Sequence, residues 1–457
     1  MTYNATLGAM ALSAQGSPGY TGTTLPTVND ANSAVGNYKL GASGVVPTGG
    51  LNVNTINIGG AYSFAFGSTT STDVLNIGAN GLMKGGSTTN SNIGSVVDEG
   101  RLTAGGAAPV GTVPLYIFNG QNANPSLTIN SRIIDNGASP IRLIINNYNG
   151  GFTALTNGAN SYSGGTVVNG WVSNGGPSGG LVLTGAAGQV VVPPGGITLN
   201  NGNLTMVTNA GQINSANTVA VNAGSVFTLV GNNTLAGLTF DNYGGITAGT
   251  VTTGGVLTLT GSITASSNNV STLPVINGTL DFGGTARTLT INPIQYNGVT
   301  LTNLQPTLNI AAIIQNAGKL TVSGGGNLQL SGASTFTGGV DLTAGGLVIG
   351  ASSTPSALGT TAVTSGPLGT GTLTASAGTT LLASAASTLA NPPVVQGNLN
   401  FAGLNNLTFN RSNAVVQGTD FSGSRRTACR QSSSLSATTA RPRSGPIKAS
   451  PLISHAP

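Results

Sequence analysis

Apolar residues in this chain recur at every second position over short runs. The segment Gly255 to Thr260 reads GVLTLT, and similar pairs stand at Leu75/Ile77, Leu127/Ile129, Ile197/Leu199, Leu328/Leu330 and Leu347/Ile349. In a strand, successive side chains point to opposite faces, so Leu257 and Leu259 would turn inward while Thr258 and Thr260 face water. Between the runs lie clusters of Gly, Asn, Ser and Thr, which suit turns that need a positive φ. No segment sustains the i, i+3, i+4, i+7 spacing of an amphipathic helix. The pattern therefore predicts an almost pure β protein.

A longer spacing separates two kinds of all-β fold. Leu289, Leu308, Leu328 and Leu347 follow one another at nearly equal steps of about 20 residues, and Leu257 follows Leu238 by the same step. A shorter step is nested within it, with Leu280 leading Leu289 and Leu399 leading Leu407 by less than half that interval. An antiparallel sandwich would show strands at intervals of roughly 8–12 residues without the longer period. Two nested spacings predict instead a circuit of about 20 residues that lays down two or three strands and returns above its start. Whole phrases also recur: GANSYSGGTVV from Gly158 is echoed by GASTFTGGVDL from Gly332, and PVINGTLDFGG from Pro274 by PVVQGNLNFAG from Pro393. Tyr162 and Phe336, with the pairs Gly164/Gly165 and Gly338/Gly339, are thus expected at equivalent places. The expected fold is all-β, a right-handed parallel β-helix (solenoid) of roughly 20-residue coils, with a disordered C-terminal tail. Residues 1–40 are read as an irregular leader or N-terminal cap, 41–410 as the β-helix repeat domain, and 411–457 as the disordered basic tail. At about 4.8 Å per coil the repeat domain would hold on the order of 18 coils and measure roughly 85 Å.

Composition sharpens this picture. Only 5% of the residues are charged, against roughly 25% in ordinary soluble domains, and 72 are glycine, so the wet surface must be built from Thr, Ser, Asn and Gly. The net charge of +5 is unevenly placed: residues 1–410 carry seven basic and eight acidic side chains, and residues 411–457 carry seven basic and one acidic. A nucleic-acid-binding body would need a basic stripe interleaved with aromatics, which 1–410 lacks. The single cysteine, Cys429, and the single histidine, His455, are both in the tail. Disulfides, thiolate metal sites and imidazole chemistry are therefore not expected in the body. No run approaches the length of a membrane helix, and none reads as barrel strands with aromatic girdles, so direct membrane insertion is not expected.

The phrase GNLQLSGASTFTGGVDLTAGGLVIG from Gly326 resembles the autotransporter-associated β-strand repeat, with Leu330 to Gly339 and Asn157 to Thr166 matching its core. LGTGTLT from Leu368 resembles the segment that follows such a core, and LNIGANGLMK from Leu75 with GRLTAGG from Gly100 resembles sequences found upstream. The resemblance covers most of residues 50–410. It implies an exported passenger folded as a β-helix, secreted or held at the bacterial cell surface, with an outer-membrane translocator as its export partner. The start, MTYNATLGAMALSAQ, has neither a basic n-region nor a sustained apolar core, and the sequence contains no recognisable translocator barrel.

The expected function is a non-enzymatic structural rod of an autotransporter-like surface or secreted passenger. The alternatives are an adhesin that binds glycans or another cell through its Thr/Asn face, and a polysaccharide-active enzyme resembling pectin-degrading β-helices. An enzyme would need clustered carboxylates. Of the acids, only Asp98 and Glu99 are neighbours in sequence, and adjacent strand residues face opposite ways. Gly176 to Gly180 (GPSGG) matches G-x-S-x-G, a motif that needs a strand-to-helix turn and a histidine partner. Aspartates do not recur at the nine-residue interval of calcium-binding β-helices. No catalytic, cofactor-binding or metal-ligating residue is assigned. Tyr162 and Phe336 are expected to pack inside, and Trp171, after the turn at Asn169-Gly170, is expected to be partly buried and is the first residue to test for glycan contact.

Overall fold

The alternating runs become strands of two long parallel sheets, and the chain winds between them as a β-helix. The computed structural model describes residues 2–4, 8–10, 19–85, 87–122, 125–148, 150–173, 176–244, 246–301, 305–356, 362–410 and 415–416. One sheet has 19 strands and the second is nearly as large.

A single circuit shows how the sequence makes the coil. Leu320–Ser323 lies in the first sheet, and Gly324 and Gly325 follow with φ of 95° and 87°. Only glycine enters that region without strain, and the pair turns the chain into Asn327–Leu330 of the second sheet. Ser331 to Gly339 then cross a third side, and Val340–Leu342 returns to pair with Leu320 to Val322 in parallel. The third side becomes a regular ladder further on, where Ser387–Leu389 pairs with Leu407–Phe409.

Register turns the alternation into stacks. Leu308, Leu328, Leu347 and Leu381 share one position in the second sheet. Ile197, Val219, Leu238, Ile263, Leu289, Val322, Leu342, Ala375 and Val395 share one in the first. All are buried, and one apolar core runs from Leu25 to Leu407. Each buried leucine contributes about 1.5–3 kcal/mol, so stability accumulates coil by coil. Volume is balanced between neighbours, because Phe240 is followed in register by Ala265 and Leu342 by Ala375.

Three expectations change. First, the coils vary in length more than an even period predicts. Asn37 pairs with Thr55 and Asn327 with Gly346, steps close to that period, but Ser91 pairs with Leu127, nearly twice as far along the chain. The paired strands Ser91–Ile93 and Leu127–Ile129 are equally long, so the extra residues lie between them, and the first sheet stacks about 16 levels, roughly 72 Å at the usual strand spacing. Second, the even steps from Leu289 to Leu308 and from Leu238 to Leu257 join different sheets, so they are not coil repeats. Third, the echoed proline phrases turn different corners. Val275–Asp281 stays in the second sheet and bends at Gly278, whereas Pro393–Gln396 lies in the first and Gly397 leads it into Asn400–Phe401 of the second.

The edges of the repeat domain also shift. Asn37–Leu40 already pairs with Thr55 to Ile58, so the coil begins inside the segment read as a leader or cap. It is preceded by the short helix Ala31–Val35, whose N-cap Asp30 accepts from Ser33 N at 2.7 Å while Ser33 Oγ accepts from Asp30 N at 3.0 Å. At the other end Val415 and Val416 pair with Val394 and Val395, extending the ladder past 410. The rest of the expected tail, 411–414 and 417–457, lies outside the described residues. No helix among the described residues is long and apolar enough to cross a membrane.

Candidate functional surface

Among the described residues most acidic side chains sit at turns and are engaged there, while Asp241 and Asp341 lie within strands and Asp341 Oδ1 is buried with no partner. Glu99 is 1% exposed, and its carboxylate accepts from Phe66 N at 2.6 Å, Ser95 N at 2.5 Å, Val96 N at 3.1 Å and the Ser95 hydroxyl. Burial pushes its pKa up, but these four bonds to the charged form outweigh it and hold the group below the usual glutamate value. Neighbouring Asp98 looks elsewhere. It adopts φ of 68°, pairs with Arg101 at 3.2 Å and accepts from Asn157 Nδ2 at 3.1 Å. Asp135 accepts from Ile141 N, Ser163 N and Ser163 Oγ at 2.7 to 2.9 Å. Asp73 fastens Gly49 N at 2.8 Å, and Asp281 binds Gly283 N at 2.6 Å. Asp341 pairs with Lys319 at 3.1 Å. Among the described residues no group of three His, Cys, Asp or Glu side chains could hold a metal ion.

Tyr162 and Phe336 do occupy equivalent places, each 1% exposed on the third side of its coil. The Tyr162 hydroxyl shares a 2.8 Å hydrogen bond with Thr166 Oγ1, and burial raises its pKa far above the ordinary value. The glycine pairs that follow are matched as well. A Cβ on the first glycine would meet the backbone of the preceding coil, 2.7 Å from Ile141 O for Gly164 and 2.0 Å from Gly318 O for Gly338. The second has positive φ and abuts the following coil, with a Cβ 2.4 Å from Gly195 O at Gly165 and 2.4 Å from Thr372 O at Gly339. The repeated phrase is thus a packing device. Gly176–Ser178 is the return strand of an antiparallel hairpin with Trp171–Ser173, not a strand-to-helix turn. The burial expected for the Trp171 side chain lies outside what is described.

The most ordered polar surface is the outward face of the first sheet between Val113 and Asn242. Three columns run along the rod. One contains Pro114, Arg142, Gly165, Gly196, Thr218 and Gly237. The next contains Tyr116, Ile144, Val167, Thr198, Ala220 and Thr239, and the third Phe118, Asn146, Asn169, Asn200, Asn222 and Asp241. The asparagines form a relay, with Asn169 Nδ2 donating to Asn146 at 2.8 Å, Asn200 to Asn169 at 2.9 Å and Asn222 to Asn200 at 3.0 Å. Tyr243 adds a 3.4 Å bond to Asn200. The alternation of apolar positions could not find this ladder. The signal that could have is asparagine recurring near the ends of Ile141–Asn147, Thr166–Asn169, Ile197–Asn200 and Thr218–Asn222.

Lys84 was not anticipated either. Its side chain is fully buried, its ammonium donates to Gly60 O, and desolvation lowers its pKa. No family model matches the chain, and no match was found among curated proteins or solved structures.

Proposed function

We propose that the chain is a non-enzymatic structural rod, a passenger of the autotransporter type that is secreted or stands at a bacterial cell surface. The observation that carries this is the use of its ionisable groups among the described residues: the buried carboxylate, Glu99, is saturated by four hydrogen bonds, Asp73 and Asp135 pin turns, Asp98 and Asp341 pair with Arg101 and Lys319, and no three acidic groups converge. An enzyme keeps at least one such group free for a substrate. The resemblance around Leu330 to Gly339 supports the export side of the proposal. A rod also demands little of sequence, since each coil needs only an apolar inner row and a glycine at each tight corner.

Two experiments test it. Protease added to intact cells that make the protein should release rod fragments, and protection until lysis would remove the surface assignment. Deleting Leu320 to Gly339, so that Val340 takes the place of Leu320 in register, should leave a folded rod shorter by about one 4.8 Å step. A catalytic body tied to one coil would not tolerate that operation at arbitrary levels.

A further inference from the structure

The first sheet carries a cavity on its outer surface of about 360 Å³, lined by Arg142, the pairs Gly164/Gly165 and Gly195/Gly196, and Thr218. These residues come from four successive levels of the stack, so the cavity is a trough along the rod axis rather than a hole into the core. Its depth comes from the glycines. Where other columns raise a side chain, Gly165 and Gly196 raise none, and a Cβ on Gly196 would meet no atom within 4 Å.

Arg142 stands at one end. It is exposed, its Nε donates to Gly164 O at 3.1 Å, and neither of the two ion pairs among the described residues includes it. The nearby carboxylate of Asp135 is occupied by Ile141 N and Ser163. With Nε given to Gly164 O, the terminal N–H groups of this lining residue are left for a ligand, and a planar carboxylate is what such a fork recognises. At the other end Thr198 and Thr218 offer hydroxyls, and Val167 and Ala220 form a low apolar floor. Tyr116, 42% exposed, lies in the same column as Val167, two levels before it.

We propose that this trough binds a linear, carboxylate-bearing polysaccharide lying along the rod. The four levels of the trough are stacked at the strand spacing of about 4.8 Å, close to the rise of one sugar unit in an extended chain, so about four successive rings meet successive coils. Hydroxyl-rich rings suit threonine hydroxyls above small apolar residues, and one uronate carboxylate suits Arg142. A spacer needs no such ligand, so the proposal stands apart from the structural role.

The test is calorimetric titration of the full chain with a mannuronate hexasaccharide. Saturable binding is expected, with weaker binding to the neutral mannose hexasaccharide. Arg142→Gln should weaken uronate binding about tenfold or more and leave the neutral sugar unaffected, because it removes a charge-assisted contact. Ala220→Tyr, which fills the trough, should abolish both. Both side chains are outside the core, so unchanged circular dichroism and melting would verify folding. No saturable uronate binding, equal affinity for the neutral sugar, or unchanged affinity in Arg142→Gln would overturn the proposal. So would preferential binding of a sulfated hexasaccharide or of an acidic hexapeptide.

Discussion

The corner glycines allow steric and conformational costs to be separated by two substitutions. Gly338 has a φ outside the left-handed region, yet a Cβ there would lie 2.0 Å from Gly318 O, 2.1 Å from Gly318 C and 2.5 Å from Lys319 N. Ordinary contact begins at 3.4 Å, and all three atoms are backbone, so no side chain can swing aside. Two coils would have to part by more than about 1 Å, a displacement that overpacking accommodates only at a cost of ~1–3 kcal/mol. The same movement would stretch Leu320 N to Gly339 O, now 3.0 Å, beyond bonding length. At about 1 kcal/mol, its loss brings Gly338→Ala to ~2–4 kcal/mol. Gly378 is the control. Its φ is 79° and nothing lies within 4 Å of its Cβ position, so Gly378→Ala should cost only the left-handed strain, ~1–2 kcal/mol. Because a solenoid is energetically one-dimensional, hydrogen exchange should rise around residues 318–342 in Gly338→Ala while distant coils keep their protection. A loss below about 1 kcal/mol for Gly338→Ala, or a larger loss for Gly378→Ala, would refute the idea that corner glycines exist for close passage of neighbouring coils.

The other expectations concern buried groups. Phe336→Ala should cost ~3–5 kcal/mol in urea denaturation. Tyr162→Phe should cost only about 1 kcal/mol, because it removes the bond to Thr166 and leaves the packing. The raised Tyr162 pKa means the folded state keeps its proton longer than the unfolded chain. Its contribution is therefore complete below the ordinary value of 10.0 and lost as pH rises above it, and a pH titration should show the alkaline loss reduced in Tyr162→Phe. Glu99 has the opposite sign. With its folded pKa below the ordinary 4.5, its contribution is present above that value and lost as pH falls through the folded one, so Glu99→Gln should flatten the acid side of the stability profile. Lys84→Met should leave stability unchanged or raise it by up to ~3 kcal/mol, since no carboxylate among the described residues pairs with the buried ammonium to offset its desolvation. A large loss in melting temperature for that variant would contradict this.

The inner rows were legible because burial acts on every coil in the same way. Leu308, Leu328 and Leu347 announce their stack by spacing alone, and the structure sets them in line. The same spacing misled at Leu289 and Leu308, because a strand of one sheet and a strand of the next can be separated by a coil's length when an intervening connection is long. Connection lengths are weakly constrained, since each doubling of a loop adds only about 0.6 kcal/mol of closure entropy. Period is thus a good guide to face and a poor guide to level. The Gly164/Gly165 and Gly338/Gly339 pairs were legible as repeats, but their purpose needed the distance to the neighbouring coil. The trough at Arg142 was illegible for a different reason: its residues come from four levels joined by connections of unequal length, so no fixed offset brings them together.

Stacking also accounts for the scarcity of charge. A residue on an outward column has its counterpart about 4.8 Å above and below, and two like charges at that separation repel by roughly 0.9 kcal/mol even in water. A charged position therefore repeats from coil to coil only at a penalty, and among the register pairs of the described strands Arg101 and Arg132 are the exception, standing one above the other. An amide can repeat without one, because it is donor and acceptor at once, and Asn146, Asn169, Asn200 and Asn222 pass a hydrogen bond along the rod. Where a carboxylate does enter a column its neighbours are neutral: Asp241 stands between Asn222 and Ser266, and Asp341 between Thr321 and Thr374. A composition of 5% charged residues is then a consequence of the coil rather than a sign of disorder. By the same logic Arg142 can keep its charge because its column is neutral on both sides, with Pro114 before it and Gly165 after. A single charge of that kind breaks the repetition of the surface, and such breaks are where a repeat protein can acquire a specific ligand, since neighbouring coils otherwise offer the same contacts again.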